Sequence, residues 1–352
     1  MAVDKTQLEM VRNKYGTEWD HDWQQLTERV RPYTTSEPRV AGKYFEFPRI
    51  GGTEVKEYND TRHKVEFSDL NFGKRGMRYR KFYNAIPLSI DEADDMMDLD
   101  YTFAQIKEAQ KPAAARFMDA IALGVIKDKG TGKWRLKTSD DEGFCGGILG
   151  TNYGGDDGVK SFDLDLTYDS FQNRKGNLIP VDYATTGTGV SKSFAGTFID
   201  RLTYVKRLLE EKEVFNGVEK GEICVAISPA VKQLLQSLEL RLNRDYGFNK
   251  LGEAGNSTYN ESLNITFLVT NMLPTMDTEN KEGTDIAGAR MCCAWLRSRI
   301  KFGTWRDTMF TMKDVDDMVD VDNYLRVKGK AGCGRMDEDT VFVLPEVEVL
   351  GA

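Results

Sequence analysis

Residues 89–128 read SIDEADDMMDLDYTFAQIKEAQKPAAARFMDAIALGVIKD, and the arrangement of the rest of the chain follows from them. From Tyr101 on, Phe103, Ile106, Ala113, Phe117, Ala120, Ile121 and Gly124 recur largely at three- and four-residue steps. That spacing gathers them on one face of a helix over 101–127, which at the usual rise would be ~40 Å long. Pro112 falls inside it. Its missing N–H and its ring predict a bend or break in the turns just before it. The lead-in carries Asp91, Glu92, Asp94, Asp95, Asp98 and Asp100 within ten positions.

Upstream lies the opposite charge. Lys74-Arg75-Gly76-Met77-Arg78-Tyr79-Arg80-Lys81 closes a region, Tyr33 to Pro87, whose pairs Phe45/Phe47 and Val65/Phe67 are spaced by two, with turn residues at Gly51-Gly52 and Asn59-Asp60. This is the pattern of a long β excursion with a basic return limb. Read as one strand, the limb puts Arg78 and Arg80 on one face and Met77 and Tyr79 on the other. A basic ribbon followed by an acidic turn pairs well with a second copy of itself, where opposite charges fix the register. A solvated charged face is the plainer reading of either run.

Before the ribbon, residues 1–31 read as two short amphipathic helices, the second marked by Trp19, Trp23, Leu26 and Val30 and stopped by Pro32. Two tryptophans on so short an arm need a surface to pack on, in their own subunit or a neighbour's. Beyond the long helix, 128–196 is rich in Gly, Asp, Ser and Thr. It contains one alternating strand, Phe162 to Tyr168, and is otherwise expected to be surface loop. Residues 197–296 then have an α/β rhythm: a helix with Phe198, Leu202, Val205, Leu208 and Leu209 inside; the strand Ile223–Ile227; a Ser228-Pro229 cap opening a helix with Val231, Leu234, Leu235, Leu238 and Leu242; and strands at Leu263–Val269 and Met291–Leu296. From about Phe302 the tail is strand-like and is expected to return beside the long helix.

The 352 residues, 40% of them hydrophobic, support two domains or one with large excursions, and the formal net charge of −8 opposes a dedicated nucleic-acid binder. The opening residues lack a secretory pattern, and no apolar run approaches the ~20 residues that span a bilayer, so no membrane partner is expected. The cysteines number five, without a CxxC pair, and read as reduced buried thiols. Residues Gly130 to Lys133 fail as a phosphate loop because Lys127 stands where its first glycine belongs, and Gly187-Thr188-Gly189 lacks the third glycine of a dinucleotide fingerprint. His21 and His63 have no ligand-spaced partners. The acidic runs Asp91–Asp100 and Asp314–Asn323 lack the central glycine and closing glutamate of a calcium loop. Catalytic, cofactor and metal sites are therefore not expected.

The order of parts is itself a pattern. An acidic turn runs into the Ala-rich stretch Ala113 to Ile121; Tyr204–Glu211 is a helix before a strand; Ile223–Leu235 is a strand, a Ser-Pro cap and a Leu-rich helix; and Val321–Tyr324 leads through Gly332-Cys333-Gly334-Arg335 to Met336–Asp339 and a last strand. Over roughly residues 35–350 this order resembles the major capsid proteins of tailed bacteriophages, with their Hong Kong 97-like fold. It departs from them at Pro112 and in a longer segment at 135–196. The resemblance implies an α+β fold divided as follows: 1–35 an N-terminal arm; 36–88 an extended β ribbon, or E-loop; 89–196 a peripheral domain with the spine helix 101–127 and a Gly-rich loop insertion; 197–306 an axial α/β domain; and 307–352 returning strands of the peripheral domain. It also implies a protein of the virion capsid, synthesised in the host cytoplasm, with itself as partner in pentamers and hexamers. Scaffolding, portal and decoration proteins and weakly held packaged double-stranded DNA complete the implied partners. Trp19, Trp23, Arg75, Arg78, Arg80, Asp91, Asp94, Asp95 and Asp98 become the expected inter-subunit contacts. The alternatives are an encapsulin-like compartment for protein cargo and, in a different class, a metal-dependent or carbohydrate-active enzyme using its Asp clusters.

Overall fold

A computed structural model describes residues 25–51, 72–88, 99–137, 146–154, 160–166, 176–179, 198–212, 221–241, 257–260, 263–276, 288–314 and 323–347. The strands are β1 (Thr35–Pro38), β2 (Tyr44–Ile50), β3 (Phe72–Arg78) and β4 (Arg80–Leu88). The long helix α1 (Leu99–Leu123) follows, then β5 (Val125–Lys127), β6 (Trp134–Leu136), β7 (Asn152–Gly154) and β8 (Lys160–Phe162). Next come α2 (Phe198–Glu211), β9 (Ile223–Ile227), α3 (Pro229–Arg241), β10 (Ser257–Asn260), β11 (Ile265–Val269) and β12 (Arg290–Leu296). The chain closes with β13 (Ile300–Asp314), β14 (Asn323–Arg335) and β15 (Val341–Glu346).

Helix α1 passes through Pro112 without interruption, so the break read from the sequence is absent. Proline costs the helix the bond that the carbonyl of Glu108 would accept. Packing compensates: Pro112 and its neighbour Gln110 are buried, and Gln110 Nε2 donates to the carbonyl of Leu325 on β14 at 3.3 Å. The helix also ends earlier than its apolar spacing implies, because Gly124 takes φ +77°, a conformation that suits glycine at a helix terminus. Residues 125–127 leave as β5.

Two of the sheets carry most of the buried strands. One has the order β1-β13-β14-β4, antiparallel except for the β1/β13 pair, and α1 packs on β14. The other, β10-β11-β9-β12-β15, carries the apolar strands Ile223–Ile227 and Met291–Leu296, every residue of which is buried. Helix α2 buries Phe198, Leu202, Val205 and Leu209 as its periodicity predicts. Helix α3 begins at the expected cap: the Ser228 hydroxyl accepts from the Val231 N–H at 3.3 Å. Ser228→Ala should cost about 1 kcal/mol, measurable as a shift in the urea midpoint of the unassembled subunit.

Four readings of the sequence are corrected. The tail does not all return beside the long helix: β13 and β14 do, but β15 pairs antiparallel with β12 in the other sheet. Leu234, expected inside, is 41% exposed. Of the alternating strand read at 162–168, the described residues 163–166 are not strand, which covers Lys160–Phe162, although Leu164 is buried between exposed Asp163 and Asp165 as the alternation requires; Thr167 and Tyr168 lie outside the described residues. Gln25 to Val30 form no helix.

The largest correction concerns Gly146 to Asn152, read as surface loop and in fact fully buried. Its backbone caps α1. The N–H groups of Ile148 and Leu149 donate to the carbonyls of Ala122 and Leu123, both at 2.9 Å, and that of Lys137 to Gly124 at 3.0 Å. These are carbonyls that a helix end leaves without intrahelical partners. The approach is so close that a Cβ on Gly147 would lie 2.3 Å from the Cα of Gly124. Glycine is needed here for contact, not for a surface turn.

Candidate assembly interface

Within the region read as a ribbon, β2 and β3 pair antiparallel from Tyr44/Arg78 to Ile50/Phe72; Gly52, Asn59, Asp60, Val65 and Phe67 lie outside the described residues. Its outer described end is apolar and open. Ile50 and Phe72, directly opposite each other, are 65% and 70% exposed, while Phe45 and Phe47 meet edge-on at 4.8 Å. An exposed apolar pair on a protruding ribbon is the surface chemistry of a contact site.

At its base the ribbon is fixed to its own subunit. Arg75 Nη2 lies 2.6 Å from Glu338 Oε2, with both side chains largely buried. Arg49 Nη1 lies 2.5 Å from Asp337 Oδ1, in a pair more open to water. Met77 is fully buried over a floor of glycines: a Cβ on Gly303 would come 2.3 Å from Met77 Cε, and one on Gly332 would come 2.2 Å from the backbone oxygen of Arg78. The return limb is not one strand, since the ladder breaks at Tyr79 and the chain crosses from the ribbon's sheet into β4. The expected two-faced alternation is lost there. Tyr79, Arg78 and Arg80 are all half-buried, with Arg78 over the Tyr44 ring at 5.8 Å and Arg80 over the Phe117 ring at 4.6 Å.

The arm enters along α1, held by one carboxylate. Asp119 is fully buried. Its Oδ1 accepts from the N–H groups of Val30 at 2.9 Å and Arg31 at 3.2 Å, and its Oδ2 from the Arg29 N–H at 2.8 Å and Gln25 Nε2 at 2.5 Å. A second buried charge, Arg335 at the end of β14, joins the sheet to the glycine cap. Its backbone N–H donates to Asn152 Oδ1 at 2.9 Å, and its Nη1 to the carbonyls of Ile148 at 2.6 Å and Gly150 at 3.2 Å. Burial pulls its pKa down to about 10, against the raising effect of Glu338 and Asp163. The guanidinium therefore stays charged at neutral pH. A third, Arg201 on α2, donates from Nη1 to the Pro345 carbonyl at 2.7 Å and pairs with Glu346.

Of the expected contact residues, the structure thus places Arg75, Arg78 and Arg80 together at the ribbon's root. Trp19, Trp23, Asp91, Asp94, Asp95 and Asp98 lie outside the described residues, as do His21 and His63. Asp119, Arg201 and Arg335 were not singled out by sequence reasoning. A lone Asp in the Ala-rich run 113–122 and an Arg closing Gly-Cys-Gly are the signals for Asp119 and Arg335; Arg201 has no signal in the sequence. Cys224, Cys292, Cys293 and Cys333 are buried thiols; burial raises Cys224 to about 12 and pushes Cys293 up as well, so those two stay protonated and unreactive at neutral pH. Among the described residues, no helix is long and apolar enough to cross a membrane.

This architecture has counterparts among solved capsids. A structure of Mycobacterium phage Ogopogo superposes with a TM-score of 0.56 at 13% identity, over 99% of this chain and 100% of that one. The mature capsid of bacteriophage PhiM1 gives a TM-score of 0.56 at 11% identity, over 96% and 92%. The capsid of cyanophage P-SCSP1u gives 0.53 at 14% identity, over 96% and 93%. At such identities the likeness speaks for the fold. No curated protein matches the chain. The family model described as phage capsid protein matches residues 8–348, nearly the whole sequence, and the chain belongs to the phage capsid protein family.

Proposed function

We propose that the chain is the repeating subunit of an icosahedral shell, arranged as pentamers and hexamers, that encloses the double-stranded DNA of a tailed phage. The observation that carries this reading is the protruding ribbon, latched at its root and apolar at its outer end. Among the described residues nothing covers Ile50 and Phe72; a neighbouring subunit would bury them. In this reading the sheet β1-β13-β14-β4 with α1 is the peripheral unit, and the sheet β10-β11-β9-β12-β15 with α2 and α3 is the axial one. The role is structural, not enzymatic. Assembly takes place in the host cytoplasm, with portal and scaffolding proteins as further partners, and an acidic wall holds DNA without gripping it.

An encapsulin-like container for protein shares the fold and differs in contents. Particles from infected cells, treated with nuclease and then opened, should release protected double-stranded DNA of uniform length. Particles holding protein cargo and no nucleic acid would overturn the genome-container reading.

A further inference from the structure

The sheet β1-β13-β14-β4 has one face covered by α1 and one open. Along β14, buried Leu325, Val327 and Gly329 alternate with half-buried Tyr324, Arg326, Lys328 and Lys330. The buried set shares its face with Phe82 and Phe310, which meet Phe117 and Lys107 of α1, so the second set points away from the helix. The register adds its neighbours on the open side: Lys81 and Arg306 flank Lys330, Tyr83 and Met309 flank Lys328, and Lys313 stands beside Tyr324. Lys81, Lys330 and Arg306 thus form a row ~10 Å wide across three strands, with Lys328 and Arg326 ~7 and ~13 Å farther along β14 and Lys313 at ~20 Å.

These six cations are not discharged by ion pairs. Strands β4, β13 and β14 carry only two carboxylates of their own, Asp307 and Asp314, and among the described residues none of the six cations pairs with a carboxylate. Three hold rings instead: Lys81 and Lys330 lie 5.9 and 5.0 Å from the Tyr79 ring, and Arg326 lies 5.7 Å from that of Tyr83. A ring fixes a cation without cancelling its charge. On a chain of net charge −8, a face of a single positive sign repels itself until a polyanion covers it.

We infer, on the basis of the shell reading, that this face is turned to the interior and takes the phosphates of the packaged duplex. Nucleic acid fits it better than an acidic protein does. Lysine, four of the six cations, is depleted in protein interfaces and ordinary at phosphates. The exposed apolar groups on this side, Tyr83 and Met309, are held apart by Lys328 and do not form the apolar centre that anchors a protein partner. Contact through phosphates alone is non-specific and salt-sensitive, in keeping with a weak hold on the genome by a chain that is acidic overall.

The test follows binding of a short labelled DNA duplex to the unassembled subunit by fluorescence anisotropy across a range of salt. One variant combines Lys81→Gln, Arg306→Gln and Lys313→Gln, all at exposed positions. A second removes three exposed charges elsewhere, with Lys127→Gln, Lys129→Gln and Lys133→Gln in the β5–β6 hairpin. Circular dichroism should be unchanged in both. The first should bind at least about tenfold more weakly than wild type, its salt slope lower by about one unit per charge removed, and the second within about twofold. A wild-type subunit that ignores the duplex overturns the inference, as do equal losses in the two variants or wild-type affinity in the first. Displacement of the duplex by polyglutamate at lower charge concentration than by unlabelled duplex overturns it in favour of an acidic protein. Closed shells from wild type and the first variant, with equal duplex binding by both, would sink this face alone, whereas failure of the wild type to form shells would sink the shell reading.

Discussion

Arg335→Ala should destabilise the unassembled subunit by roughly 3–5 kcal/mol, the range for removing one member of a buried charged network. The effect is large because the side chain is at once a charge, a donor and a filler. Its guanidinium is 1% exposed and serves the carbonyls of Ile148 and Gly150. These belong to the same segment that caps α1 through Ala122 and Leu123. With Arg335 gone, the buried carbonyl of Ile148 loses its side-chain donor, that of Gly150 is left with Asn152 Nδ2, Glu338 keeps Arg75 as its close ion-pair partner among the described residues, and a void opens under the glycines. Lysine should not rescue it, since its nitrogen lies one bond nearer the backbone than Nη1, the single atom that serves both carbonyls. Urea unfolding of soluble subunit measures the loss. A variant within 1 kcal/mol of wild type would mean that the glycine cap holds without its arginine.

Asp119→Ala is the second large effect, expected at about 3 kcal/mol from the loss of hydrogen bonds to a charged acceptor and the orphaning of a buried N–H at Val30. The damage should be local as well as global. Residues 29–31 take their path from this carboxylate, so trypsin should cut after Arg29 faster in the variant than in wild type, under conditions where the rest of the subunit resists, while the Arg31–Pro32 bond stays uncut in both. Asn in its place keeps one acceptor oxygen and should recover part of the loss. If cleavage there is unchanged in the alanine variant, the arm is held by Trp295, whose indole N–H donates to the Tyr33 carbonyl at 3.1 Å, and not by Asp119.

Much of this fold was legible. Elements marked by a helical period, a continuous apolar run or a local cap showed plainly: α1, α2, the apolar strands β9 and β12 and the Ser228 cap. The misreadings share a cause, which is that a partner distant in sequence decides the outcome. Glycines 146, 147 and 150 have the composition of a loop, and only the presence of Gly124 across from them makes them core. Pro112 breaks an isolated helix but not one whose flank is anchored to β14. Strand β15 is a short apolar run, and nothing in such a run says which sheet it joins. At the interface, the basic limb and the exposed ribbon were visible as charge and period. The clasp at Asp119 and the joint at Arg335 were not, because a lone charge in an apolar run reads equally well as a solvated residue until its partners are known.

The shell is the claim on which the rest depends, and assembly of the purified chain tests it most directly. Sizing chromatography followed by negative-stain microscopy, across salt and crowding conditions, should show closed particles of uniform diameter, with pentamers or hexamers as their soluble precursors. A monodisperse monomer or dimer under every condition, with Ile50 and Phe72 still open to solvent, would contradict the account.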